Sequence, residues 1–230
     1  MKNLKAHALI TARGGSKGLK NKNLRKLKGL SLVEIAIQNA KSSGVFEKIL
    51  CSSDSKEILD LIKNKAICIV RPKKYAKDNS TSESVVKHYL EFLNKERIIV
   101  PQILFLFQPT SPFIKTETIR KMFEIYKKNK NVGSVVSIYK VNNKYNYLNQ
   151  RKIKDNSDME FLFKRKKKNL RRQDKPEVFV HGNLHSIKIE SFKKNNTFFI
   201  KPTKTVEIKT FKESLDIDNK FDYELAKKLF

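Results

Sequence analysis

The sequence predicts an α/β fold, a mainly parallel sheet with helices on both faces. Three observations predict it. Apolar runs of strand length alternate with helical patterns through the first half, the runs are apolar throughout, and the segments after them are polar and rich in turn residues. Strands without an exposed face are covered on both sides, and strands separated by helices pair in parallel. Ligands of such sheets bind at the carboxyl ends of the strands. Chemistry should therefore gather in the loops that follow them.

In order, His7 to Thr11 reads as the first strand, followed by the basic, glycine-rich loop Ala12 to Asn23. Ser31 to Lys41 reads as a helix with Leu32, Ile35, Ala36, Asn39 and Ala40 inward. Lys48 to Ser52 is a strand, Lys56 to Lys63 a helix, and Ala66 to Val70 a strand. Ser82 to Asn94 is a helix opening on Ser/Thr capping residues, and Gln102 to Phe107 is a strand. Thr116 to Lys128 is a helix and Gly133 to Tyr139 a strand. From about Lys140 to Lys175 the pattern gives way to a basic, Asn-rich stretch, read as a hairpin arm or an insertion packing on another subunit. Strand-like runs resume at Val178 to Ile189, Phe198 to Ile200 and Thr205 to Lys209, and a helix, Phe221 to Leu229, closes the chain. No linker divides the sequence, so residues 1–230 read as a single domain with an appendage at 140–175.

Composition narrows the function. With 39% hydrophobic and 32% charged residues the chain can bury a real core. It has no signal-peptide pattern and no apolar stretch of membrane-spanning length, so a cytoplasmic protein is expected. Cys51 and Cys68 fall in strands, without metal-like spacing, and read as small core residues. The net charge of +27 points first to nucleic acid. Yet the lysines are spread over most helices, which favours a small polyanion such as a nucleotide over nucleic acid. The densest cluster, Lys164 to Lys168 with Arg171 and Arg172, reads as a solvated loop or hairpin tip.

The four loops after the first strands read ARGGSKG, SSDS, RPKKYAKDNSTS and QPTSP. In the first, Gly14, Gly15 and Gly18 tolerate positive φ and let backbone approach a ligand. Consecutive amides there can form an anion nest, flanked by the charges of Arg13 and Lys17. The loop is built to hold phosphates, but it matches neither the Walker A spacing nor GxGxxG. Far downstream, Ser214-Leu-Asp216-Ile-Asp218 carries two carboxylates two residues apart. On an extended segment these share one face and can hold a hard cation such as Mg2+ on a nucleotide.

Taken together, ARGGSKGLKNKNL, SSDS, Arg71-Pro72 with Ser82 downstream, QPTSP from Gln108, and SLDID from Ser214 resemble the N-acylneuraminate cytidylyltransferases, the CMP-sialic acid synthetases and their nonulosonic-acid relatives. The motifs occur in order across nearly the whole chain. The resemblance implies a Rossmann-like nucleotidyltransferase fold, a homodimer with a dimerisation protrusion, Mg2+ dependence, and CMP transfer from CTP to a sialic-acid-like sugar. It places Arg13, Gly14, Gly15, Ser16, Lys17 and Asn23 on the nucleotide, and Arg71, Ser82 and Gln108 around the cytidine and sugar. It also makes Asp216 and Asp218 the metal carboxylates, and sets Arg172, Phe198 and Phe199 at the sugar, the phenylalanine pair reaching across the dimer.

One stretch departs from the family. Val180-His-Gly-Asn-Leu-His-Ser186 lacks a basic residue at Val180 and a tyrosine at Ser186, which opens the acceptor to pseudaminic, legionaminic or Kdo-like acids. His181 and His185 are expected about 13 Å apart along a regular strand, too far to chelate a metal together, and read as ordinary pocket or surface histidines that take over some acceptor contacts. Two readings of another kind stay open: a non-catalytic polyanion-binding protein, and a glycosyltransferase, which the triphosphate-like first loop disfavours.

Overall fold

The computed structural model describes residues 4–16, 18–76, 80–163 and 171–230. Lys17 and the run Lys164 to Lys168 lie outside the described residues. Strand β1 (Ala6–Thr11) leads into the glycine-rich loop, and a small ladder of β2 (Lys26–Leu27) and β3 (Leu30–Ser31) delivers the chain to α1 (Leu32–Ser43). Ser31 caps that helix in a capping box with Glu34. There follow β4 (Lys48–Ser53), α2 (Lys56–Ile62), β5 (Ile67–Val70), α3 (Ser82–Lys95), β6 (Ile103–Phe107), α4 (Thr116–Lys128) and β7 (Ser134–Lys140). The 140–175 stretch contains a short antiparallel hairpin, β8 (Arg151–Ile153) with β9 (Met159–Phe161). The chain then completes β10 (Phe179–Lys188), α5 (Ile189–Asn195), β11 (Thr203–Ile208), α6 (Phe211–Ser214) and α7 (Lys220–Leu229).

A seven-stranded sheet runs in the order β11-β7-β10-β6-β1-β4-β5. All its pairings are parallel except those of β10, which is antiparallel to both β6 and β7. Alternation along β6 divides the core, as the period of two requires. Ile103, Phe105 and Phe107 face one cluster with residues of α1 and α4, while Leu104 and Leu106 face another with α3 and α5. The expected two-sided α/β sheet is therefore the observed architecture. Cys51 is fully buried and sits in register with the half-buried Cys68 on the neighbouring strand, both thiols free.

Two local expectations fail. Phe198 to Ile200 forms no strand, because its amides bond to side chains: Phe199 N donates to Thr197 Oγ1 (3.3 Å) and Ile200 N to Ser134 Oγ (3.0 Å). Phe198 instead plugs the cluster around Phe192. In addition, β10 is not regular. His181 pairs with Ile138 and His185 with Val136, so three residues of β10 face Ser137 alone. Such a bulge leaves an amide without its ladder partner, and the Ser137 hydroxyl accepts it from Leu184 N at 2.9 Å. A Cβ on Gly182 would collide with that same hydroxyl and with Ile208 Cδ1, so the bulge requires glycine there.

Among the described residues no helix is long and apolar enough to cross a membrane.

Candidate active site

The loops at the carboxyl ends of β1, β5 and β6 converge with the 216–218 segment, and a cleft of about 360 Å³ opens between them. Arg13, Ser16, Asn23, Arg71, Ser82, Gln108, Asp216 and Asp218, all singled out in the sequence, line it. The glycine-rich loop works here by close approach. Gly14, Gly15 and Gly18 are not in the left-handed region, whereas Asn21 is, with φ 54°. A Cβ on Gly18 would stand 2.5 Å from the Asp218 carbonyl oxygen, so glycine lets the loop lie against the carboxylate segment. Asn23 Nδ2 donates to the Arg13 carbonyl (2.8 Å) and ties the loop back on itself. The Gly14 amide donates to Asp54 Oδ1 (2.9 Å), so in this state that amide serves the SSDS loop.

The carboxylate pair is held from beneath. Ile217 is fully buried among Leu19, Leu32, Phe113 and their neighbours, while Asp216 and Asp218 on either side are exposed. Ile217 N donates to the Thr110 carbonyl (2.8 Å) and Ser111 Oγ to Asp216 Oδ1 (3.1 Å), which fastens SLDID to QPTSP. Asp218 N donates to Asp222 Oδ2 (2.9 Å) at the start of α7. Lys22 Nζ lies 3.0 Å from Asp218 Oδ1, its side chain largely buried in the same cleft. Sequence reasoning missed Lys22 because one lysine in Lys-Asn-Lys-Asn is inconspicuous in so lysine-rich a chain. Tyr75, Thr81 and Thr110 also line the cleft and were not singled out.

Arg71 is buried at the other end. Its Nε donates to Ser52 Oγ (3.0 Å) and its guanidinium also reaches the Ser52 carbonyl. Burial lowers its pKa while Asp54 works the other way.

Gln108 and Asp216 also border a second, smaller cavity of about 140 Å³, shared with Ser111, His181, Asn183 and His185. The bulge in β10 overturns the expected separation of the histidines: their ring centroids are 5.7 Å apart. Phe199, half-exposed, lies over His181 at 4.9 Å. The residue facing this cavity is His185, not Ser186, which is buried on the opposite face and donates to the Val135 carbonyl (2.9 Å) beside the Tyr126 hydroxyl. Burial, then His181, lowers the His185 pKa. Arg172 sits in an exposed 3-10 turn and borders neither cavity.

A basic, glycine-rich loop and a carboxylate pair across one cleft at the carboxyl edge of an α/β sheet define a nucleotidyltransferase. The sequence model of the cytidylyltransferase family matches residues 7–229, and the chain belongs to that family. It is 32% identical over 225 residues to the CMP-N,N'-diacetyllegionaminic acid synthase of Legionella pneumophila, covering 96% of this chain and 94% of that protein. To the pseudaminic acid cytidylyltransferase of Campylobacter jejuni it is 28% identical over 235 residues, 100% of this chain and 97% of the other. In fold it is similar to a CMP:2-keto-3-deoxy-manno-octonic acid synthetase solved with CTP, at a TM-score of 0.71, 13% identity and 98% coverage of both chains.

Proposed function

We propose that the protein moves CMP from CTP to the anomeric hydroxyl of an acidic nine-carbon sugar of the neuraminic, legionaminic or pseudaminic kind, releasing pyrophosphate. The observation that carries this reading is the meeting of two cavities at Gln108 and Asp216, one lined by the basic loop and carboxylate pair, the other a polar side chamber. The acceptor class draws its support from the relatives' names.

In the proposed reaction the anomeric oxygen bonds to the α-phosphorus of CTP as the bond to the pyrophosphate oxygen breaks, and the hydroxyl proton is lost. Such a transfer needs positioning and charge neutralisation rather than covalent help. Arg13 and Lys22, with Lys17 of the same loop, neutralise the triphosphate, while Ser16 and Asn23 fix the loop that holds it. Arg71 and Ser82, at the far end of the cleft, hold the nucleoside, and Gln108 orients the acceptor where the cavities join. Asp216 and Asp218 suit Mg2+: two hard oxygen donors on one face, completed by substrate phosphates, form the donor set this ion takes. Bound there, Mg2+ would neutralise phosphate charge and acidify the attacking hydroxyl. Lys22, 3.0 Å from Asp218 Oδ1, holds that carboxylate in place meanwhile.

The proposal includes a cytoplasmic homodimer built through the 140–175 arm, whose hairpin exposes Ile153, Met159 and Phe161. Arg172 and the exposed Phe199 then meet the sugar at or across that interface, while Phe198, buried in the core beside Phe192, supports Phe199 from behind. Pyrophosphate release with CTP, Mg2+ and a panel of nonulosonic and Kdo-like acids tests the reading. Release is expected with at least one nine-carbon acid and not without acceptor. No release with any acid, together with salt-sensitive retention on DNA or RNA, would favour the polyanion-binding alternative.

A further inference from the structure

The side cavity is too small for a sugar. At about 140 Å³ it falls below the roughly 300 Å³ at which whole-ligand pockets begin. It is on the order of four to five times a water's share of liquid volume, which is room for a substituent. Its lining is of two kinds: polar groups from Gln108, Ser111 and Asn183, and the aromatic rings of His181 and His185, backed by Phe199. The Nδ1 of His185 is buried and without a hydrogen-bond partner among the described residues. Native proteins seldom leave such an atom unpaired, and a bound ligand that reorients the ring is one way to satisfy it.

We propose that His181 and His185 are specificity-determining residues that read an N-acyl substituent of the acceptor sugar in this side cavity. The inference rests on the cytidylyl-transfer reading above. An acylated amine is planar and uncharged, with one hydrogen-bond donor, one acceptor and a methyl group. An imidazole nitrogen meets the amide, and the aromatic surface of the two rings with Phe199 meets the methyl. A carboxylate fits worse, because Asp216 borders the same cavity and like charges repel. The acceptor's own carboxylate therefore belongs outside it, toward the basic cleft. The bulge makes the device: without it the two rings would be spread along the strand rather than 5.7 Å apart.

The test compares His185→Phe, His185→Gln and His181→Ala at saturating CTP. The two acceptors are the N-acylated acid that the wild-type enzyme turns over best and its deacylated counterpart. For His185→Phe the KM for the N-acylated acid should rise about tenfold, the effect of losing one neutral hydrogen bond. The KM for CTP should stay within about twofold, with kcat little changed, and the preference for the acylated acid should fall. His185→Gln, which keeps a hydrogen-bonding group, should recover part of that preference. Equal losses on both acids, a parallel rise in the KM for CTP, or unchanged selectivity in all three variants would overturn the proposal. If His185→Phe melts early, His181→Ala carries the same comparison, since His181 is exposed. A wild-type enzyme that releases no pyrophosphate with any acid defeats the transfer reading itself. An active variant with unaltered selectivity defeats only this inference.

Discussion

The two cavities that meet at Gln108 and Asp216 are built in opposite ways. The larger one is made of loops at the ends of parallel strands, held by bonds within segments, Asn23 to the Arg13 carbonyl and Asp218 to Asp222, and by one between loops, Ser111 to Asp216. The smaller one is made inside β10, a strand antiparallel to both its neighbours, by a bulge that one hydroxyl and one glycine permit. Loops can change residue by residue without disturbing the sheet. A bulge ties its side chains to the register of the strands beside it. The loop side is thus suited to what every substrate shares, the triphosphate, and the bulge side to what distinguishes one acceptor from another.

Removing a charge from the loop side should give the largest effect. Asp216→Ala is expected to lower kcat by about a thousandfold or more, in the range seen when a developing charge loses its stabilisation. The fold should survive, because Ile217, not Asp216, fills the core. Circular dichroism and a thermal melt check the fold, and pyrophosphate release checks the activity. Substantial turnover at saturating Mg2+ would show that this carboxylate is not part of the metal site and would break the division proposed between the cavities.

A smaller and more selective effect is expected on the bulge side. Gly182→Ala places a methyl against Ser137 Oγ and Ile208 Cδ1, an overpacking that costs about 1–3 kcal/mol. To relieve it, β10 must shift, and the histidine pair shifts with it. The KM for the acceptor should rise by about tenfold, while affinity for CTP, read by calorimetry, stays near wild type. Equal losses for both substrates would mean that the two sides are one mechanical unit.

The same division marks what was legible in the sequence. Turn residues after apolar runs located the cleft, and Arg13, Asn23, Arg71, Ser82, Gln108, Asp216 and Asp218 all border it. Local chemistry carries such information, since capping, phosphate approach and carboxylate spacing are set by neighbours in the chain. The bulge was misread because Val178 to Ile189 was given the even rise of a regular strand. Its one signal was Gly182 within an apolar run, where an isolated glycine points to a bulge or close backbone approach. The partner that confirms it, Ser137, lies on another strand. The same blindness hid α5, where Ile189 and Phe192 already sit three residues apart as a helix requires.

Acid should separate the two sides with the smallest but most diagnostic effect. On the loop side, Glu34 lies in the first turn of α1, which the β2–β3 ladder joins to the glycine-rich loop. Burial works to raise its pKa, but hydrogen bonds from Lys65 and from Ser31 outweigh that and hold it at about 2. Its contribution to stability is therefore present above the ordinary value of 4.5 and lost only as pH falls toward about 2. His185 is also held below its ordinary value, 6.5, by burial and by His181. Its neutral form belongs to the folded state, so its contribution is present above 6.5 and declines as pH falls below that value. Between about pH 7 and about pH 5, amides around 181–185 should lose hydrogen-exchange protection while those at the start of α1 keep theirs. Glu34→Gln keeps an acceptor for the capping box but loses the ion pair with Lys65; it should cost no more than about 1 kcal/mol at neutral pH and leave the 181–185 amides unchanged. Protection that falls together in both segments would mean that the cavities open as one cooperative unit, and that their different construction has no counterpart in their stability.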